Sequence, residues 1–450
     1  MKIVRGKEKD IMEGNLTRVL LSLAFPLMIS DLSEVLYNIA DTLWLSWLGP
    51  AQVAAPTVSW PPIYVLLSFG NGVISVGYSN ITKAWGKGDL EDTRKNSGAL
   101  LSFSFLFSLI ISLISLVFSS DILRLMGIPQ DVYPYAIIYF RIMLAATPLA
   151  YITIAFSIIS SSLGDAYLSM KIGLISSILN VVLDPLLIFG YLGFPAMGVA
   201  GAAIATMISR GLTAAYSLVL LFNRYEKVRL SLSHLKIPTE WMRTAIKVGF
   251  PLGIHRASNS LGQTVLVSFI SIYGSSALAA YGISMRIIDL IQTYTSGLGR
   301  STAIVIGMNL GKGNTERVWK ASLSSLKLMF FTLAVLGLIL GIFKENLLMF
   351  FTNDPAVISL GSSLLLYSAI SLPFFGLFFS AYGVSNGSGR TYFFGLISVL
   401  RTWVFRIGAI ALIIFLYNIP IEVIWIILAV SNVFAGILGT AWVIKKKWLI

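Results

Sequence analysis

Twelve apolar stretches of roughly 20 residues or more follow one another along the chain, each long enough to cross a bilayer as a helix. They fall near residues 17–47, 52–81, 94–118, 133–160, 166–189, 196–222, 240–272, 277–307, 318–342, 358–385, 391–416 and 421–444. Backbone placed in lipid must satisfy its own hydrogen bonds, so the stretches are predicted to be transmembrane helices. Composition agrees. Of 450 residues, 56% are apolar and only 12% are charged, about half the charged share of a soluble domain. A water-soluble body of this size would need a larger polar surface. There is no cysteine, which excludes disulfides, thiolate metal centres and cysteine nucleophiles. Two histidines, His234 and His255, are too few for a histidine-rich metal site.

The net charge of +13 does not point to nucleic acid in so apolar a chain; its placement matters more than its sum. Basic residues gather on every second connection. Lys2, Arg5, Lys7 and Lys9 precede the first span, and Lys83, Lys87, Arg94 and Lys95 follow the second. Arg224, Lys227, Arg229, Lys236, Arg243 and Lys247 follow the sixth, and Lys312, Arg317 and Lys320 the eighth. Lys445, Lys446 and Lys447 close the chain, and Lys171 and Arg390 lie on the same side. The opposite side holds Arg124 and Lys344. The positive-inside rule then places both termini in the cytoplasm of a multi-pass plasma-membrane protein. The opening residues are mixed in charge and precede no short cleavable apolar core, so no signal peptide is expected.

Shifting the chain by 225 positions, half its length, aligns it with itself. Phe25-Pro26-Leu27 falls on Phe250-Pro251-Leu252, and Gly49 on Gly274. Gly86-Lys87-Gly88 falls on Gly311-Lys312-Gly313, Pro148 on Pro373, and Gly164 on Gly389. One constant offset across six spans implies two parallel six-helix repeats, related by a pseudo-two-fold axis along the membrane normal. The fold expected is therefore an all-α membrane protein of twelve helices in two pseudo-symmetric bundles. The expected domains are a first lobe over 1–222, a cytoplasmic linker over 223–247 running into span seven, and a second lobe over 240–450. The Gly-Lys-Gly turns read as helix terminators, since no phosphate-cradling Gly-Lys-Ser/Thr loop is present. Nucleophile–base and metal-ligand motifs are likewise missing, so no enzyme is expected, and no cofactor.

Ionisable residues inside spans are costly unless paired or watered, which makes them the candidates for function. The first span carries Asp31, Glu34 and Asp41, which share an arc of about 120° with Tyr37 and Asn38. Pro26, upstream, removes a backbone hydrogen bond and is a candidate hinge. The fifth span carries Asp184, with Asn180 one turn earlier and Pro185 after it. At 1.5 Å per residue, Asp41 lies about 9 Å and Asp184 about 7.5 Å from the outer ends of their spans. Two acids at matching depth can share a proton or hold a cation. The second lobe is richer in positive charge: Arg256, Arg286, Arg401 and Arg406, with His255 beside Arg256. Asp289 follows Arg286 by three and is expected to pair with it. Arg401 and Arg406 either snorkel and pair internally or dock an anionic group.

These segments together resemble the multidrug and toxic compound extrusion (MATE) family. The likeness rests on Phe25-Pro26, Tyr37-Asn38-Ile39-Ala40-Asp41, Trp47-Leu48-Gly49-Pro50, the Gly86-Lys87-Gly88 turn, and Asn180 through Asp184-Pro185. It is nearest to the archaeal, DinF-like branch. That resemblance implies a cation or proton site in the first lobe on Asp41 and Asp184, with Tyr37, Tyr139 and Asn180 in the same network. It also implies an amide on the fourth helix and a hydroxyl on the sixth, where this chain offers Ser157 and Thr206. Other branches place coupling acids on the seventh and tenth helices; here His255 and Ser371 stand in those regions.

The expected function is a secondary antiporter that exports amphipathic organic cations against inward protons or sodium by rocking of its lobes. Asp41, Asp184, Asn180, Tyr37, Tyr139 and Asn38 are the ion-coupling candidates. Glu34, Asp31, Ser157, Thr206, Arg401 and Arg406 are candidate substrate contacts. The expected partners are small organic cations and the lipid bilayer, with the protein a monomer. The alternative is a flippase for lipids or lipid-linked saccharides, for which Arg401 and Arg406 speak.

Overall fold

A computed structural model describes residues 11–223, 228–416 and 419–449, and every described element is helical. Lys2, Arg5, Lys7, Lys9, Arg224 and Lys227 lie outside the described residues. Twelve long helices can be followed. The first half contains α1 (Leu16–Ser46), α2 (Pro50–Ile74, continued by Val76–Lys87), α3 (Leu90–Val117), α4 (Tyr133–Ser162), α5 (Ala166–Phe189) and α6 (Val199–Asn223). The second half contains α7 (Phe250–Ser271), α8 (Ser275–Gly311), α9 (Thr315–Met349), α10 (Pro355–Ser388), α11 (Tyr392–Ile414) and α12 (Ile421–Ile444).

Nine of these, all but α2, α7 and α8, are long and apolar enough to cross a membrane on those grounds alone. The other three are diluted by particular residues. Pro56, Pro61 and Pro62 lie inside α2, which breaks at Ser75. His255, Arg256, Asn259 and Gln263 lie in α7, and Arg286, Asp289 and Arg300 in α8.

Polarity runs inside out. On α3 the buried positions include Ser104, Ser108, Ser112 and Ser115, whereas Leu106, Ile110, Leu113 and Ile114 are exposed. In water this would be an unstable surface. In lipid it is the expected one, because small hydroxyl residues let helices approach while aliphatic chains meet the acyl tails. The Ser112 hydroxyl donates to the Leu144 carbonyl of α4 at 2.7 Å, closing one such contact.

The offset of 225 is visible element by element. α4 and α10 occupy equivalent positions, and among the nine strongly apolar spans they are the two most enclosed, 61% and 56% buried over their most apolar stretches. α4 packs on α2, α3, α5 and α6, and α10 on α8, α9 and α12. The turns repeat too. Gly88 and Gly313 have φ of 79° and 76°, and Gly164 and Gly389 have φ of 83° and 75°. These are left-handed positions that glycine fills without a Cβ penalty, and each closes a helix. The helix after each Gly-Lys-Gly turn is capped alike: Asp89 accepts from the Asp92 amide, and Asn314 from the Arg317 amide.

Pro26 and its counterpart Pro251 end differently. α1 stays helical through Pro26, which leaves the Ser22 carbonyl without its i+4 donor. Before Pro251 the chain instead runs through a short helix (Thr239–Thr244) and widened i→i+5 turns over Ala245–Gly249, and α7 starts afresh at Phe250. Span seven, expected over 240–272, is therefore broken near its start.

The chain divides into two compact units, one of Ile29–Ile246 and the other of Met1–Met28 with Lys247–Ile450. The first lobe expected from sequence, 1–222, thus differs at both ends. The beginning of α1 belongs to the second-half unit because its face is seated there. The Ser301 hydroxyl donates to the Leu20 carbonyl at 2.7 Å, and Arg300 to the Leu27 carbonyl at 3.3 Å. A Cβ on Gly297 would stand 2.4 Å from Met28 Cγ, so α1 and α8 meet closely there. The remainder of α1 packs with the first-half helices, and Ser177 of α5 donates to the Ser33 hydroxyl at 3.3 Å. The described end of the linker packs on the first-half unit: the His234 carbonyl fills the space that a Cβ of Gly98 would occupy.

Candidate functional site

The first-half unit gathers its buried acids in one place. Asp41 of α1 is 6% exposed and Asp184 of α5 is fully buried. The two carboxylates are near enough to repel each other electrostatically. Asn180, one helical turn before Asp184, donates from Nδ2 to Asp184 Oδ1 at 3.3 Å and to the Thr206 hydroxyl of α6 at 3.0 Å. Tyr139 of α4 is buried within the fields of Asp41, Asp184 and Tyr37. Four helices therefore contribute to one buried polar cluster, and α4 contributes because it packs on α2, α3, α5 and α6.

Three oxygens in this group are buried without a hydrogen-bond partner among the described residues: Asp41 Oδ1, Asp184 Oδ2 and Asn180 Oδ1. No salt bridge reaches either acid among the described residues. An unpaired buried acceptor is costly. An all-oxygen donor set with two carboxylates fits a proton or a hard monovalent cation, and it does not fit a soft transition metal. Among the described residues no group of three or more His, Cys, Asp or Glu side chains is placed to hold a metal ion.

The remaining candidates from sequence fall around this centre unevenly. Tyr37 is hydrogen-bonded to Arg210 of α6, and exposed Glu34 acts on both electrostatically. Arg210 in turn lies 6.0 Å from the centre of the Trp60 ring. Arg210 is thus the cation of this network. Asn38 spends its amide on the Glu34 carbonyl of its own helix, at 2.8 Å. Asp31 is half-buried on α1. Ser157 stands apart: its hydroxyl is bonded to that of Ser169, and it lies about 27 Å along α4 from Tyr139 at 1.5 Å per residue.

In the second-half unit, Arg401 and Arg406 are buried beside a cavity of about 130 Å³, which His255, Asn259, Tyr281 and Asn432 also line. His255 Nδ1 is bonded to the Ser398 hydroxyl. Asp289 accepts from Gln292 at 3.0 Å and forms no salt bridge with Arg286, contrary to the expected i,i+3 pairing. The closer i,i+3 partner is the neutral amide on the same helix face.

The chain is 27% identical over 382 residues to the probable multidrug resistance protein YoeA of Bacillus subtilis, covering 84% of this chain and 82% of that one. It is 25% identical over 382 residues to the multidrug export protein MepA of Staphylococcus haemolyticus, covering 84% and 83%. A MOP superfamily transporter from Pyrococcus furiosus has the same fold, with a TM-score of 0.90, 24% identity and 97% coverage of both chains. The MatE family profile matches twice, over residues 26–186 and 251–412. The two matches start 225 residues apart, which is the internal offset found above. The matched regions span well over half of the sequence, and the chain belongs to the MatE family of multi-pass membrane transporters.

Proposed function

We propose that this protein is a multidrug efflux antiporter that exports amphipathic organic cations in exchange for protons or sodium, with Asp41 and Asp184 as the coupling carboxylates. The observation that carries the reading is the set of three buried, unpartnered oxygens on Asp41, Asp184 and Asn180. The similarity to a probable multidrug resistance protein and a multidrug export protein supports the substrate class. Ionised, the acids favour the state that holds a cationic substrate. A proton or sodium ion arriving from outside neutralises them, weakens that state and releases the substrate. Asn180 and Thr206 orient Asp184, Tyr139 lines the pair, and the Arg210–Tyr37 bond fixes the neighbouring face of α1. One charge crossing about 100 mV supplies about 2.3 kcal/mol, enough for roughly fiftyfold accumulation. Pro26 lets α1 bend during the cycle as the two lobes alternate. The basic connections support a plasma-membrane protein with both termini in the cytoplasm, and in this reading it acts as a monomer.

The alternative, a flippase for lipids or lipid-linked saccharides, draws on buried Arg401 and Arg406. Liposomes holding the reconstituted protein separate the two. A pH gradient and a sodium gradient are imposed in turn, and a fluorescent organic cation is followed against a labelled lipid. Gradient-driven cation movement that is lost in Asp41→Asn is the expected result. Undiminished transport by a folded Asp41→Asn protein removes Asp41 from the mechanism, and lipid movement without cation movement selects the flippase.

A further inference from the structure

The second-half unit buries two guanidinium groups that ion coupling does not use. Arg401 is 4% and Arg406 9% exposed. Both lie on the widened i→i+5 turns Leu400–Gly408 of α11, an irregularity that often marks functional positions. In a regular helix, residues five apart would point about 140° from each other. The widened turns bring both onto the cavity.

Their partners are all neutral. Arg401 donates to Asn432 Oδ1 at 3.0 Å and to Asn259 Oδ1 at 3.4 Å, and its Nε has no partner among the described residues. Its guanidinium lies 4.7 Å from the Phe378 ring centre. Arg406 donates to the Ser431 hydroxyl at 3.0 Å and to Asn432 Oδ1 at 3.1 Å. No salt bridge reaches either arginine among the described residues. Two buried, mutually repelling cations therefore share one amide oxygen, Asn432 Oδ1, where an internal counter-ion would otherwise stand. Buried cations without a counter-charge are strongly unfavourable, and a guanidinium pair is matched in geometry to an oxyanion.

We propose that this cavity is an oxyanion-binding site that takes the phosphate or carboxylate head of a ligand between Arg401 and Arg406. A cavity of roughly 150 Å³ holds one benzene-sized group. At about 130 Å³ this one takes a head group, and the rest of the ligand extends beyond it. The proposal does not depend on how transport is coupled, because it concerns binding alone.

The test uses the full chain in a non-ionic detergent, with 1-naphthyl phosphate as probe and uncharged 1-naphthol as its control, measured by titration calorimetry. The phosphate is expected to bind at least about tenfold more tightly than the alcohol, a difference that two charge-assisted hydrogen bonds readily supply. Arg401→Gln and Arg406→Gln should abolish the preference, but each also removes buried hydrogen bonds on which the fold depends, so the deciding variant is Asn432→Asp. It places a carboxylate at the oxygen both arginines already share. It is expected to melt no lower than the parent and to weaken naphthyl phosphate at least about tenfold. Competition by phosphatidic acid in nanodiscs would assign the head to a membrane lipid; lack of competition, with naphthyl phosphate bound, would assign it to a soluble anion. Equal affinity for phosphate and alcohol, or unchanged phosphate binding in a folded Asn432→Asp protein, overturns the proposal.

Discussion

At one crossing in the second-half unit the backbones of α8 and α10 nearly touch. A Cβ built on Gly383 would stand 2.5 Å from the Gly299 carbonyl oxygen and 2.8 Å from Thr302 Cβ. One helical turn on, a Cβ on Gly387 would stand 2.4 Å from the Ala303 carbonyl oxygen. Ordinary van der Waals contact begins at 3.4 Å, so Gly383→Ala requires the helices to part by almost 1 Å. The obstructing atoms are backbone and a stiff β-branched side chain, which cannot swing aside. Overpacking of this kind costs about 1–3 kcal/mol, and the gain in helix propensity returns about 0.5–1 kcal/mol. The expected net loss is about 0–2.5 kcal/mol, centred at about 1.3 kcal/mol, which is roughly 3–5 °C in melting temperature for a unit of this size. Gly282, on the same helix α8, is exposed and has nothing within 4 Å of its Cβ position. The identical change there should stabilise by about 0.5–1 kcal/mol. Thermal unfolding of both variants in one detergent, followed by tryptophan fluorescence, makes the comparison. If Gly383→Ala melts at or above the parent, or if both variants shift the same way, the packing argument is wrong.

Two further outcomes follow from the first-half unit and its hinge. Thr206→Val keeps the shape of the side chain but removes the hydroxyl that accepts from Asn180; it should cost about 0.5–1.5 kcal/mol of stability and lower ion-driven efflux in liposomes, and unaltered efflux would separate Thr206 from the site. Pro26→Ala restores the donor to the Ser22 carbonyl, so the melting temperature should rise while turnover falls at unchanged cation affinity. Unchanged turnover in that variant would dismiss Pro26 as a hinge.

The membrane fold was legible because its signal is collective: long apolar runs, basic connections and a constant offset survive any local irregularity. The acids of the first half were legible for a related reason. Asp41 and Asp184 stand out from apolar spans, and Asn180 reaches Asp184 by simple helical spacing. Contacts between spans were harder. Thr206 and Ser157 were alike as hydroxyl candidates, and only three-dimensional packing puts the first against Asn180 and the second against Ser169. Arg210 lies within the sixth span, but its bond to Tyr37 depends on the rotation of α6 relative to α1, which periodicity does not fix. Arg401 and Arg406 meet only because α11 departs from regular helical turns, a departure no residue type announces. Asn432, the amide that joins them, is one neutral polar residue among many and carries no charge to single it out.

The divided loyalty of α1 determines how this chain can be dissected. A gene split at the connection between the repeats would strand residues 16–28 on the wrong polypeptide. The carboxyl-terminal piece would then expose the surface that Leu20, Ala24 and Leu27 now cover, and Arg300 and Ser301 would lose their carbonyl acceptors. Arg317, which donates to the Ile11 and Gly14 carbonyls, would lose its anchorage as well. A carboxyl-terminal fragment able to fold alone would therefore need residues 11–28 returned to it as a separate peptide.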